Sequence, residues 1–287
     1  METLRGIIPA IVTPFDSNNK VDHGALKALV EHLIGKGVNG FYACGSTGEC
    51  FLMTEEERMA TAKTIIDTVN GRVPVAVQVG NIATDSAVRL AKQAAADGAD
   101  YISSVPPFYF QFSLDEIARY YARISKAVDK PLIIYNIPAF SGVSLNTKNM
   151  RTITDNCDVW GLKYTAYDLF ELEKIRRAFP ELNIYYGHDE LFLNSLPIGT
   201  SGAIGSTFNV MSERYQEIKK AYDAGKMEEA GKMQSEVNKA IEAMISCGVM
   251  PSIKYILSKQ GIPCGNCREP FSAVTEEQKT LLDVYFQ

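Results

Sequence analysis

Lys163 stands near the end of an apolar run, Val159-Trp160-Gly161-Leu162-Lys163-Tyr164-Thr165, that reads as a short buried strand. Lysine is almost never fully buried unless it has a partner or a task. Burial in a low dielectric favours the neutral amine, which is a nucleophile toward carbonyls, so one reading is a lysine that forms a Schiff base. The other is a strand-end lysine whose amine snorkels to water. Further residues of chemical use stand at the ends of other apolar runs. Gly45-Ser46-Thr47-Gly48 is a small-residue turn able to offer backbone N–H groups and two hydroxyls to an anion such as a carboxylate. On its own it reads more readily as a tight strand-to-helix turn with an N-cap. Tyr135 ends the run Pro131–Ile137; it is either an acid/base or a core tyrosine whose hydroxyl reaches a backbone group. The adjacent carboxylates Asp189 and Glu190 could bind the hydroxyls of a sugar, or could favour the start of a following helix. No GxxxxGK[ST] phosphate loop is present. Cys264-Gly265-Asn266-Cys267 is a lone CxxC, and His23, His32 and His188 do not cluster, so no metal site is expected.

These residues need a frame that brings strand ends together. Eight apolar segments recur, bounded by Gly, Pro, Asn or Asp: Gly6–Val12, Asn39–Cys44, Val73–Val79, Asp100–Val105, Pro131–Ile137, Val159–Thr165, Leu182–Tyr186 and Gly202–Ser206. Several are near-continuous apolar runs, as expected of parallel strands covered on both faces. Between most of them lie amphipathic helical patterns at Asp22–Lys36, Thr54–Val69, Asp85–Ala96, Ser113–Val128 and Asp168–Phe179. Thr54 with Glu57, and Ser113 with Glu116, read as capping boxes. The alternation predicts an α/β protein, a (β/α)8 TIM barrel. An open doubly wound sheet is the alternative, weakened because no GxGxxG follows the first strand. Past Ser206 only helical patterns follow, near Met211–Ala224, Lys226–Ser246, Pro251–Gln260 and Thr275–Phe286. The expected organisation is a barrel over residues 1–224 and a C-terminal helical extension, 225–287, packed on it rather than folding independently. A barrel of this kind places its site at the C-terminal ends of the strands. The turn at Ser46, Tyr135, Lys163 with Thr165, Gly187 to Glu190, and Gly205-Ser206 should then converge in one pocket.

Composition agrees with a globular chain: 46% of residues are hydrophobic and 22% charged. The net charge is −5 and no Lys/Arg block stands out, so neither nucleic acid nor an anionic membrane is an expected partner. The N-terminus lacks the apolar region of a signal peptide, and no run reaches transmembrane length. A cytoplasmic location is expected, with the six cysteines as free thiols.

Gly45-Ser46-Thr47-Gly48-Glu49, Tyr135-Asn136-Ile137-Pro138, Gly161-Leu162-Lys163 and Gly202-Ala203-Ile204-Gly205-Ser206 together resemble the pyruvate-dependent class I aldolases of the N-acetylneuraminate lyase and dihydrodipicolinate synthase superfamily. The resemblance spans essentially the whole chain. The synthase branch has Gly-Arg-Thr after its Tyr-Asn-x-Pro, whereas Ala139-Phe140-Ser141-Gly142-Val143 here has no arginine. Lys163-x-Thr165, Gly187-x-Asp189-Glu190, Ser104–Tyr109 and Gly205–Asn209 are similar to the lyase branch. The resemblance implies reversible cleavage of the sialic acid N-acetylneuraminate to pyruvate and N-acetylmannosamine. It implies that Lys163 forms the imine and that Ser46 and Thr47 grip the pyruvyl carboxylate. It gives Tyr135 the proton transfers, linked through the Thr47 hydroxyl to Tyr109 of a neighbouring subunit. Thr165, Gly187, Asp189, Glu190, Gly205 and Ser206 would hold the sugar portion. It implies a homotetramer and no cofactor, since the imine is itself the electron sink. Ala166, Tyr167 and His188 depart from the pattern or occupy variable positions. Another pyruvate aldolase or hydratase on this scaffold, synthase-like or acting on 2-keto-3-deoxy sugar acids, and a non-catalytic sugar-acid-binding barrel are the alternatives.

Overall fold

Each apolar run carries a parallel strand. In the computed structural model, which describes residues 3–286, these are β1 (Gly6–Pro9), β2 (Phe41–Ala43), β3 (Val75–Gln78), β4 (Tyr101–Ser104), β5 (Leu132–Asn136), β6 (Gly161–Tyr164), β7 (Asn183–Tyr186) and β8 (Gly202–Gly205). They pair in parallel in the order β1-β8-β7-β6-β5-β4-β3-β2. A parallel bridge between Ala10 and Tyr42 joins the two ends, and the sheet closes as a (β/α)8 barrel. The ladders are shorter than the runs because apolar character reports burial rather than hydrogen bonding. Ile11 and Val12 lie past the end of β1 and are still buried.

Side chains alternate across the sheet. One set, including Ile8, Tyr42, Ala76, Tyr101, Ile133, Tyr135, Tyr185 and Ile204, fills the barrel interior. The other, including Ile7, Phe41, Val75, Ile102, Leu132, Leu162 and Ile184, packs against the surrounding helices. The helices begin where their caps predict. Asp22 caps His23–Gly35, and Asp168 caps Leu169–Ala178. Thr54 with Glu57 and Ser113 with Glu116 form the two expected capping boxes, and Thr275 with Gln278 forms a third. The helix Thr147–Thr154 between β5 and β6 is not evident in the sequence, because only Met150 and Ile153 are buried along it. Short turns of helix between Asp189 and Ile198 take the place of a long helix between β7 and β8.

After β8, Phe208–Asp223 is followed by Met227–Cys247, which packs along it. Val249–Lys259 and Glu276–Asp283 pack in turn against Met227–Cys247. No single helix among the described residues is long and apolar enough to cross a membrane.

The cap on Leu114–Ser125 is a measurable part of barrel stability. Ser113 accepts the Glu116 N–H at 3.4 Å, and Glu116 accepts the Ser113 N–H at 2.7 Å. Ser113→Ala should cost about 1 kcal/mol, and Ser113→Asp should restore most of it. The shift of the urea midpoint in both variants checks this.

Candidate active site

Strand register brings the central residues side by side. Tyr135 of β5 pairs with Lys163 of β6, and Lys163 pairs with Tyr185 of β7. Leu162 faces the helices, so its neighbour Lys163 faces the barrel interior. Gly161 lets β6 and β7 approach closely: a Cβ there would press on the Asn183 carbonyl at 2.9 Å.

Lys163 is 4% exposed. Its Nζ lies 4.1 Å from the centroid of the Tyr135 ring and 4.4 Å from that of Tyr42. The amine therefore faces tyrosine rings and does not run along the strand end to water. Burial lowers it to about 7, although the negative charge of Asp189 opposes the shift. The ring faces favour the ammonium somewhat, but near pH 7 a large fraction of the amine is neutral.

Tyr135 and Tyr42 meet edge to face, 6.1 Å between centroids. Burial raises the Tyr135 phenol well above its usual range, and the Thr165 and Ser46 side chains beside it only partly oppose this. Tyr42 is likewise held as a phenol by burial, and its hydroxyl pairs with the Ser103 hydroxyl at 2.9 Å. Tyr42 is a site residue that sequence reasoning missed. The available signal was parity: in Phe41-Tyr42-Ala43 the central residue is the one that faces inward.

The turn after β2 folds on itself. Gly48 N–H and Glu49 N–H donate to Gly45 and Ser46 carbonyls, each at 3.0 Å, and Thr13 Oγ1 donates to the Gly48 carbonyl at 2.8 Å. Among the described residues no protein acceptor takes the backbone N–H of Ser46 or Thr47. The Thr47 hydroxyl lies 2.6 Å from the Ser206 hydroxyl, which ties the ends of β2 and β8 together across the barrel mouth.

Asp189 is buried and used twice. Oδ2 accepts the Thr207 N–H at 2.8 Å and the Thr207 hydroxyl at 2.7 Å. The Thr207 hydroxyl continues to Tyr215 at 2.7 Å. Oδ1 is buried and has no partner among the described residues; the Thr165 hydroxyl is in the same state. Burial raises the Asp189 carboxyl to about 6, against the Thr207 hydrogen bonds and the charge of Lys163. Asp189 does not cap the short helical turn that it begins, which has no side-chain cap. It holds Thr207, the residue that precedes the helix Phe208–Asp223, instead. Thr207 is thus part of the polar network around Asp189, which sequence reasoning did not single out. Two glycines make this approach possible. A Cβ on Gly205 would collide with Asp189 Oδ1, and one on Gly187 would collide with Thr165 Oγ1 and touch Lys163 Cε at 3.5 Å.

Glu190 lies at the rim. It accepts the Tyr167 hydroxyl at 2.8 Å and lies 3.2 Å from His188 Nδ1. The Tyr167 and His188 rings stack, with centroids 4.0 Å apart. Burial would raise the Glu190 carboxyl, but donation from His188 and Tyr167 prevails and holds it below its usual value.

Tyr109 does not reach this pocket within one chain. It is 85% exposed, holds a left-handed φ of +76°, and packs edge-on against Phe110. Beside Ser46 opens an apolar hollow of about 460 Å³, lined by Phe51, Val105, Phe108, Ile137, Phe140 and Phe271. No group of metal ligands is found among the described residues. All six cysteines are free. Burial pushes both Cys264 and Cys267 up to about 12, so neither is a thiolate near neutral pH.

Comparison with known proteins agrees with this architecture. The dihydrodipicolinate synthetase family model matches residues 3–287. An N-acetylneuraminate lyase of Citrobacter koseri is 40% identical over 276 residues, covering 96% of this chain and 93% of that protein. A Clostridium difficile protein, CdNal, crystallised in complex with mannosamine, superposes with a TM-score of 0.96 at 35% identity, covering 99% of each chain. A dihydrodipicolinate synthase from Bacillus anthracis superposes almost as well, with a TM-score of 0.95, but at 26% identity, covering 100% of this chain and 98% of that one. The match over nearly the whole length, with the lysine, tyrosine and small-residue turn set at one barrel mouth, shows that this chain belongs to the dihydrodipicolinate synthetase family.

Proposed function

We propose that this protein is a Schiff-base aldolase that reversibly cleaves N-acetylneuraminate to pyruvate and N-acetylmannosamine. The observation that carries the reading is the Lys163 amine, buried between two tyrosine rings and lowered to about 7. An amine so poised is nucleophilic at neutral pH. It adds to the C2 ketone of the open-chain sugar acid and loses water to give a protonated imine. The C4 hydroxyl gives up its proton and the C3–C4 bond breaks. C4 leaves as the aldehyde of N-acetylmannosamine while the electron pair moves through C3 toward the imine nitrogen. The enamine takes a proton at C3, and water then hydrolyses the imine to free pyruvate and Lys163. Tyr135, held as a phenol, acts by giving a proton as it receives another, rather than as a standing phenolate. The unclaimed N–H groups of Ser46 and Thr47 suit the pyruvyl carboxylate, and the turn fixes the ketone against Lys163.

The lyase rather than the synthase reading is supported by the names of the relatives above and by the distal half of the pocket. Asp189 Oδ1 and the Thr165 hydroxyl are buried and unpaired, and a polyhydroxy tail would complete them. We assign Glu190, Ser206 and the backbone at Gly187 and Gly205 to the same sugar-binding part of the pocket. The segment Ala139–Val143 offers no arginine for an aminosemialdehyde carboxylate. We further propose a homotetramer. Exposed Tyr109 and Phe110 and the apolar hollow beside Ser46 support a contact in which Tyr109 serves a neighbouring subunit.

Pyruvate with borohydride should add one reduced pyruvyl group at Lys163, located by peptide mapping. The labelling rate should rise with pH through about 7, where the amine loses its proton. Label on another lysine, or none, would sink the proposal. Tyr135→Phe keeps the ring packing and should lower turnover by on the order of 10²-fold or more with the fold intact. Near-normal turnover would return Tyr135 to the core. Asp189→Ala should weaken cleavage of N-acetylneuraminate by roughly ten- to a hundredfold more than it weakens imine formation with pyruvate, which has no tail. Equal losses, with a lower melting temperature, would leave Asp189 a purely structural group holding Thr207.

A further inference from the structure

We propose that the buried ion pair of Glu49 and Lys254 is a positioning device that sets the Ser46-Thr47 turn for the pyruvyl carboxylate. The inference rests on the functional reading above, and it assigns to the C-terminal helices a part in the chemistry. Glu49 ends the turn. It holds a left-handed φ of +59°, a conformation that costs a non-glycine residue and persists only where the surroundings enforce it. Its N–H closes the turn on the Ser46 carbonyl. Its side chain is fully buried, and Oε1 lies 2.6 Å from Lys254 Nζ, on a lysine that is 1% exposed. Oε2 accepts the backbone N–H of Arg268 at 2.7 Å.

The segment from Cys264 to Arg268 straps this corner. The Cys264 carbonyl accepts the Phe15 N–H at 3.0 Å, and the Asn266 carbonyl accepts Lys254 Nζ at 3.1 Å. The Arg268 guanidinium donates to the Leu52 carbonyl at 2.8 Å and pairs with Glu57. Lys254 Nζ and Arg268 also lie against the Phe15 ring, 4.2 Å and 4.4 Å from its centroid. So the turn is gripped from the β1 side by Thr13 and from the far end of the chain by Lys254 and Arg268.

A buried ion pair is a poor stability device, because desolvation offsets most of the Coulomb attraction, and apolar replacements are often as stable. What it supplies here is direction. Oε2 has a fixed hydrogen-bond donor in the Arg268 N–H, and Oε1 is held by the charge of Lys254 rather than by an aligned hydrogen bond. Rotation of the Glu49 backbone would break the first or separate the buried charges, and the Ser46 and Thr47 N–H groups would move with it. A carboxylate site depends on that aim, and a displacement of about 1 Å can cost on the order of 10²-fold.

The test is borohydride trapping of the pyruvate imine at Lys163, read as a function of pyruvate concentration, in wild type, Glu49→Gln, Lys254→Met and the double variant. The single variants leave one buried charge unpaired; the double variant leaves none and should melt closer to wild type. The expected result is a half-saturating pyruvate concentration raised about tenfold or more in the double variant, with a much smaller change in the labelling rate at saturation. A half-saturation within about twofold of wild type in a folded double variant overturns the proposal. Hydrogen exchange of the wild-type chain gives a reading that needs no variant: pyruvate should slow exchange at the Arg268 amide, and unchanged exchange there overturns the proposal as well. Wild-type protein that takes no label at Lys163 would overturn the functional reading itself, whereas normal wild-type labelling with unshifted variants removes only the role of the pair.

Discussion

The site depends on the desolvation of one amine. A lysine at the end of a barrel strand normally sends its ammonium to water, and Lys163 is prevented from doing so by where its strand places it. Position in β6 turns it inward, and register sets it between Tyr135 and Tyr185. The Tyr42 ring then covers it from across the barrel. The rings are apolar enough to lower the amine and polar enough at their faces to tolerate the cation. Among the described residues no opposing carboxylate is placed close enough to undo this, since Asp189 only moderates the shift. Had Asp189 formed a close ion pair with Lys163, the amine would be held charged and would be a poor nucleophile.

The carboxylate that moderates the amine is itself spoken for. Asp189 spends one oxygen on Thr207 and through it on Tyr215, which anchors the helix after β8. That leaves a single oxygen, Oδ1, for a ligand. Its approach requires Gly205, and the approach of Thr165 requires Gly187. These two glycines are therefore part of the pocket's shape, and their value lies in the absence of a Cβ rather than in backbone freedom. The short helical turns between Asp189 and Ile198 belong to the same arrangement, because they let the chain after β7 stay close to the mouth of the barrel.

Much of this was legible in the sequence, for a physical reason. Strand identity, parity and caps are local, so the eight runs, Lys163, Tyr135 and the capping boxes at Thr54 and Ser113 could be read from neighbouring residues alone. The gathering of strand ends followed from the barrel. What could not be read was pairing over long separation. Nothing in Gly45–Glu49 says that Glu49 meets Lys254, or that the Thr47 hydroxyl meets Ser206. Tyr42 was missed because a tyrosine in an apolar strand is ordinarily core; parity turns it inward, and its distance from Lys163 makes it part of the site. Thr147–Thr154 was hidden because a helix with so narrow a buried stripe leaves little periodicity to find.

Asp189 and Glu190 illustrate how neighbours in sequence become different chemical groups. Burial raises Asp189 to about 6, whereas the donors His188 and Tyr167 hold Glu190 below its usual value. Environments that push two carboxyls apart commonly mark a division of roles. The linkage signs follow. Asp189 binds its proton more tightly in the folded state, so its contribution to stability is present below the unfolded carboxyl range and is lost as pH rises through about 6. Lys163 binds its proton less tightly when folded, so it works against folding below about 7 and ceases to do so as pH climbs toward the usual lysine range. Near neutrality the pocket thus carries both burdens at once, a desolvated carboxylate and a partly charged amine. A sugar acid bound as the imine would relieve the first by hydrogen-bonding Oδ1. In the proposed reaction that same contact would fix the tail, so binding of the distal hydroxyls and poise of the reacting nitrogen would be joined through one side chain.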